Sequence, residues 1–140
     1  MAGVGELPQR GRVILDSGGV LALANGSGNA RAALERGRLA GDGVVIPVPV
    51  VAQIHRGGRS HARLDRVFKA VDAIVLTTVE IARAAGDLQA AACTDDPVDA
   101  IVVAEALASI PAIIITTDGG DLRRLLSTQP DSARVVIIEV

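Results

Sequence analysis

The sequence predicts an α/β fold built on a mainly parallel sheet, and three observations lead there. Short, mainly apolar runs recur at residues 13–15, 44–46, 73–76, 112–116 and 135–138. Segments of helical composition separate most of them. Two of the runs, the first and the fourth, lead into an aspartate with a Gly-Gly pair just beyond it: Asp16 before Gly18-Gly19, and Asp118 before Gly119-Gly120. Strands that alternate with helices form parallel sheets. Short continuous apolar runs bounded by turn residues suit strands buried on both faces.

The elements follow in order. Residues 1–11 carry little pattern and are expected to be a loose tail, leaving 12–140 as one domain. The first strand, 13–16, ends at Asp16, and Gly18-Gly19 is expected to turn the chain into a short helix over 20–24. After Asn25-Gly26-Ser27-Gly28, residues 29–39 have helical composition, and Gly41-Asp42-Gly43 is a turn. The second strand, 44–46, is expected to end at Pro47 and Pro49 and lead into a helix over 50–56. Gly57-Gly58 breaks that helix, and Ser60 can cap the next, 61–70. Its Leu64, Val67, Phe68 and Val71 recur at helical spacing, with Arg63, Arg66 and Lys69 on other faces.

A third strand covers 73–76. Thr77-Thr78-Val79-Glu80 reads as a capping box that opens a helix to about Ala92. Asp96 followed by Pro97 is the clearest helix start in the chain, because aspartate caps well and proline suits the first helical position. That helix, 97–108, is apolar almost all round and should be buried. The fourth strand, 112–116, runs into Thr117-Asp118. A short helix follows to Leu126, and the last strand is 135–138.

Composition narrows the possible partners. The chain has 140 residues, a net charge of −2 and Phe68 as its single aromatic residue. Base stacking on aromatic side chains is therefore absent, and any polyanion must meet a local basic patch. Lys69 is the one lysine, so 13 of the 14 basic residues are arginines (14 − 1), the residue type suited to bidentate phosphate contacts. The densest basic run holds Arg56, Arg59, His61, Arg63, Arg66 and Lys69, which reads either as a solvated helix face or as a track for RNA phosphates. With Cys93 alone and no signal-peptide or membrane-spanning pattern, a soluble cytoplasmic protein is expected. His55 and His61, without cysteines or HxxxH spacing, do not make a zinc site.

The aspartates carry the chemistry. Asp16 and Asp118 can each serve as ordinary caps, as can Asp96 and Asp121. On neighbouring parallel strands, however, Asp16 and Asp118 would share one edge of the sheet. Asp99 lies at the third position of an apolar helix with no Lys or Arg nearby in sequence, and a buried carboxylate needs a partner. If these groups converge, two like charges about 4 Å apart cost on the order of 4 kcal/mol at an effective dielectric near 20. Protonation or a cation must relieve that repulsion. Oxygen-only ligands select Mg²⁺ or Mn²⁺ over zinc.

Four stretches, LDSGG, IPVPVVAQIHRGG, DDPVDAIVVAEAL and TTDGGDLRRLL, resemble in order and spacing the landmarks of a PIN domain. The likeness is closest to the VapC-like toxin ribonucleases and covers nearly the whole of 12–140. It implies a three-layer α/β/α sandwich and Mg²⁺- or Mn²⁺-dependent hydrolysis of single-stranded or loop RNA. By position it makes Asp16, Asp99 and Asp118 metal ligands, with Asp96 as a further ligand and Asp121 beside them. Ser17 and Thr117 would be the hydroxyls that orient the carboxylates. The family's second acidic residue is normally a glutamate, and this chain has Gln53 there. Gln53 keeps a carbonyl acceptor but no charge, so it should weaken metal binding. The resemblance also implies a small antitoxin partner, with a segment in an apolar groove, and a homodimer.

The alternative is a PIN-fold module that binds antitoxin or RNA and has lost efficient cleavage through Gln53. A response-regulator receiver would need a lysine near its aspartates, and Lys69 lies in the basic helix instead. A dinucleotide-binding domain would need a GxGxxG turn, which DSGGV lacks.

Overall fold

A computed structural model describes residues 11–59 and 61–140. The expected tail and the Ser60 cap therefore fall almost wholly outside the described residues; of the tail, only Gly11 lies within them. Five strands form one parallel sheet: β1 (Arg12–Leu15), β2 (Gly43–Pro47), β3 (Ala73–Val75), β4 (Ala112–Thr116) and β5 (Val135–Glu139). Their order across the sheet is β3-β2-β1-β4-β5, with every pairing parallel. The continuous apolar runs form these strands because each central strand is covered on both faces. Val13, Ile14, Leu15, Ile114 and Ile115 have no exposed surface.

Seven α-helices lie among the described residues, α1 (Ser17–Ala24), α2 (Gly28–Leu39), α3 (Val48–Ile54), α4 (His61–Ala70), α5 (Val79–Ala92), α6 (Pro97–Ala108) and α7 (Gly120–Leu126), with a 3-10 turn at Ser132–Arg134. On one face α1 packs with α2 and α4; on the other α5, α6 and α7 pack together, and α3 touches both α1 and α6. The architecture is the expected three-layer α/β/α sandwich. As expected, α6 is largely buried, from Ala100 through Ala106 except the half-buried Ile101.

Three local expectations change. Gly18-Gly19 is not a turn but the first turn of α1, which starts directly after Asp16. A Cβ on Gly18 would collide with the Thr117 hydroxyl, and one on Gly19 with the Ile115 carbonyl. The glycines therefore serve close packing of the helix on β4. Helix α3 begins two residues early, at Val48, because Pro49 fits in the first turn, where N–H groups have no intrahelical acceptor. It also ends at Ile54, which leaves His55 and Arg56 in a loop. Finally, Thr78 rather than Thr77 caps α5, accepting from Ile81 N at 3.1 Å, so the capping box is not made.

Strand order positions the site. From β1 the chain moves outward to β2, whereas from β4 it moves the other way to β5. Between them lies the crevice where open parallel sheets bind ligands, at the strands' carboxyl ends.

Candidate active site

Asp16 stands at the end of β1, in that crevice. It is 6% exposed and caps α1, with Oδ1 accepting from Gly19 N at 2.8 Å. Its Oδ2 accepts from Thr116 Oγ1 at 2.5 Å, across the β1–β4 pair. Burial pushes the Asp16 carboxyl above its usual range. Hydrogen bonds from Thr116, Gly19 and Gly18 oppose that rise, and the charge of Asp118 adds to it.

The other acids arrive from separate elements. Asp96 caps α6, its Oδ1 accepting from Val98 N and Asp99 N at 3.0 and 3.1 Å. This rigid start directs Asp99, one turn along, into the same space. Asp118 follows β4; its Oδ1 accepts from Gly120 N at 3.2 Å, and its own N–H donates to Thr116 Oγ1 at 3.2 Å. Asp121 lies in the first turn of α7 and does not cap it, since the cap is Gly119. Together Asp16, Asp96, Asp99, Asp118 and Asp121 line a cleft of about 280 Å³, and among the described residues no Lys or Arg lines it.

The consequence is clearest at Asp99. Half-buried, it has its carboxyl pushed up to about 6, first by burial, then by the charges of Asp96, Asp16, Asp121 and Asp118. Four like charges act on one group with no cation to answer them.

Ser17 lies at the cleft and donates its hydroxyl to Gln53 Oε1, which brings the last turn of α3 to the edge of the site. Gln53 itself is exposed. Thr117, expected to orient a carboxylate, is also exposed and makes no such bond; Thr116 does this instead. The strand phase explains the difference. Thr116 is the last residue of β4, 1% exposed, and its side chain has to find a partner inside. A buried threonine two residues before Asp118 was the signal that sequence reading missed.

The four arginines expected along one track divide between two places. Arg56 and Arg59 lie in the loop after α3. Arg63 and Arg66, with Arg31, rim a second cavity of about 350 Å³ between α1, α2 and α4, whose apolar wall includes Leu23, Leu34 and Val67.

The donor set suits a hard divalent cation, because every candidate ligand is an oxygen and the negative charge is in excess. As the side chains stand, no group of three or more His, Cys, Asp or Glu among the described residues is arranged to hold a metal ion. Asp16 has both oxygens engaged in hydrogen bonds, and Asp96 and Asp118 each have one. Mg²⁺ fits such a site better than a cation that needs an all-protein cage. It keeps several waters and binds through one or two carboxylates together with substrate phosphates.

The fold recurs in known structures. VapBC2 from Rickettsia felis, bound to a DNA fragment from its promoter, superposes with a TM-score of 0.66 at 12% identity, covering 91% of this chain and 98% of that one. A toxin–antitoxin complex from Klebsiella pneumoniae gives 0.65 at 22% identity, covering 91% and 99%. FitAcB from Neisseria gonorrhoeae gives 0.58 at 17%, covering 91% and 96%. The chain has the PIN fold. At these identities the likeness is one of fold. No family model matches the PIN-fold chain, and no curated protein matches it significantly. Among the described residues no helix is long and apolar enough to cross a membrane.

Proposed function

We propose that this PIN-fold chain is a Mg²⁺- or Mn²⁺-dependent endoribonuclease, the toxin of a cytoplasmic toxin–antitoxin pair, acting on single-stranded or loop RNA. The observation that carries the reading is the uncompensated acidic cleft at the carboxyl ends of β1 and β4. Asp16, Asp99 and Asp118 would hold the metal, with Asp96 and Asp121 beside them. When bound, the metal supplies an activated water and charge stabilisation for the leaving oxygen of a phosphodiester. Thr116 fixes the rotamer of Asp16 and ties it to the Asp118 backbone, so two candidate ligands are positioned by one hydroxyl. Asp96 sets the direction of α6 and thereby of Asp99.

An antitoxin is supported by the toxin–antitoxin complexes among the structural neighbours. The second cavity suits such a partner. Its apolar wall, rimmed by Arg31, Arg63 and Arg66, fits an apolar peptide that also carries carboxylates. An arginine from that peptide would find the acidic cleft open to it. Exposed Ile74, Leu76 and Val79, at the outer strand β3 and the start of α5, offer an apolar face to a second copy.

Gln53 favours a second reading, a PIN-fold module that binds antitoxin or RNA without efficient cleavage. An amide there gives up one negative charge beside the cleft. Titrating Mn²⁺ calorimetrically into the wild type, Gln53→Glu and Asp16→Asn, with RNA cleavage assayed on the same samples, separates the two. Binding and cleavage by the wild type, lost in Asp16→Asn, support the nuclease. An inert wild type with an active Gln53→Glu supports the disabled site. Inert behaviour in all three removes the nuclease reading.

A further inference from the structure

We propose that the loop joining α3 to α4, residues 55–59, is a phosphate subsite for the polynucleotide strand, and that Arg63 and Arg66 are not part of it. This rests on the nuclease reading above. The loop starts two residues after Gln53, which is hydrogen-bonded to Ser17 at the cleft's edge. Arg56 therefore lies within roughly 11 Å of Gln53 along the chain. A strand held at the acidic cleft passes this loop within a few nucleotides.

The loop is rich in donors. The backbone N–H groups of Arg56, Gly57, Gly58 and Arg59 have no acceptor among the described residues. Gly57 and Gly58 hold positive φ values of 71° and 79°, and a Cβ on either would meet nothing within 4 Å. The left-handed turn therefore leaves these donors open to solvent, where backbone concavities capture anions. Arg56 Nη1 donates to the His55 carbonyl at 2.8 Å and to the Ala52 carbonyl at 3.5 Å, which tethers one corner of the guanidinium and leaves Nη2 and Nε without an acceptor among the described residues.

The loop is also held shut at its base. The rings of His55 and His61 meet edge to face with centroids 4.7 Å apart, and His61 Nε2 lies 3.2 Å from Asp65 Oδ2. The nearest carboxylate in sequence is thus already engaged, and residues 55–61 contain no acid. Ordering the loop before binding reduces the entropy lost when an anion arrives. Arg63 and Arg66 face the α1–α2–α4 cavity instead.

The test is the salt dependence of binding to a fluorescent single-stranded RNA oligonucleotide in EDTA, with metal-dependent cleavage assayed separately on the same preparations. Removing one arginine–phosphate pair on a single strand lowers the slope of log K against log salt by about 0.7. Arg56→Gln/Arg59→Gln is expected to lower it by about 1.4 and to weaken binding. Arg56→Lys/Arg59→Lys should keep the slope, and Arg63→Gln/Arg66→Gln should leave it unchanged. An unchanged slope in Arg56→Gln/Arg59→Gln, or a reduction confined to Arg63→Gln/Arg66→Gln, overturns the proposal. So does displacement of the RNA by poly-glutamate at equal charge, which would assign the loop to acidic peptides. A reduced slope in Arg56→Gln/Arg59→Gln, with a wild type that does not cleave, would keep the subsite and remove the nuclease reading. Cleavage with no change in slope would do the reverse, and a wild type that neither binds nor cleaves RNA removes both.

Discussion

Thr116 and Asp16, one hundred residues apart in sequence, share a 2.5 Å hydrogen bond between the ends of neighbouring strands. The same hydroxyl accepts from Asp118 N at 3.2 Å. One buried side chain thus connects the carboxylate of β1 to the backbone of the turn after β4. Thr116→Val keeps the shape and removes the donor. Hydrogen bonds to charged groups are worth about 1.5–3 kcal/mol, so a loss of stability in that range is expected at neutral pH. The Asp16 carboxyl should also rise further, because the Thr116 bond is the largest influence holding it down. Denaturant midpoints check the first effect and NMR titration of the carboxyl the second. Thr116→Ser should restore both.

Asp99 makes the metal-free protein sensitive to pH. Its folded carboxyl is raised from the ordinary 3.8 to about 6, so the folded state holds the proton more tightly than the unfolded state. Stability of the metal-free protein is therefore expected to rise as pH falls from 7.5 through 6 towards 4, the reverse of a salt-bridged carboxylate. For a half-exposed group the effect is on the order of 1 kcal/mol after solvent screening. Asp99→Asn should flatten this dependence and raise stability at pH 7.5, which thermal unfolding across that range measures. If Asp99 ligates a metal, Mg²⁺ affinity in the parent should fall as pH drops below 6, and a pH-independent affinity would remove it from the ligand set.

How much of this was legible beforehand depended on whether the cause was local. Val13-Ile14-Leu15 and Ala112–Thr116 read as strands because an unbroken apolar run has a local signature. Asp96-Pro97 read as a helix start for the same kind of reason. Gly18-Gly19 looks the same in sequence whether it turns the chain or lets a helix approach a strand; only the position of β4 decides. Thr116 and Thr117 are likewise equivalent until the phase of β4 is known. The prolines at 47 and 49 misled because proline stops a strand and also opens a helix. The gathering of five aspartates depends on strand order, which residues 12–140 displayed only through likeness to a known pattern.

The close approach of α1 to β4 gives a prediction of its own. A Cβ on Gly19 would meet the Ile115 carbonyl, a backbone atom that cannot rotate away. Gly19→Ala should therefore shift the start of α1 and cost roughly 1–3 kcal/mol, as overpacking does. An alanine on an exposed helix would instead be favourable by about 1 kcal/mol, so the sign alone decides. Because Gly19 N is a donor to Asp16, the variant should lose metal binding more than stability. Gly86→Ala, whose Cβ would meet nothing within 4 Å in the middle of α5, is the control and should be neutral or stabilising in urea unfolding.

Glu105 is the buried carboxylate that the proposed chemistry does not use. It is 6% exposed within α6, and burial pushes its carboxyl up, partly offset by the charge of Arg12. Its folded value exceeds its unfolded one, so ionisation opposes folding and stability is lost as pH rises through the folded value. Glu105→Gln keeps the shape without the charge and is expected to stabilise the protein at pH 8, because it removes the cost of ionising a buried carboxyl. The gain should shrink towards pH 4, where both side chains are neutral. Arg12→Met should do the opposite at pH 8, because among the described residues it removes the one positive charge that eases the buried carboxylate. In the double variant Arg12→Met should cost less than it does alone, and the size of that difference in a double-mutant cycle measures how strongly the two charges are coupled. Glu105→Gln destabilising the protein at pH 8 would mean that the carboxylate is held there by a stronger interaction than the charge of Arg12.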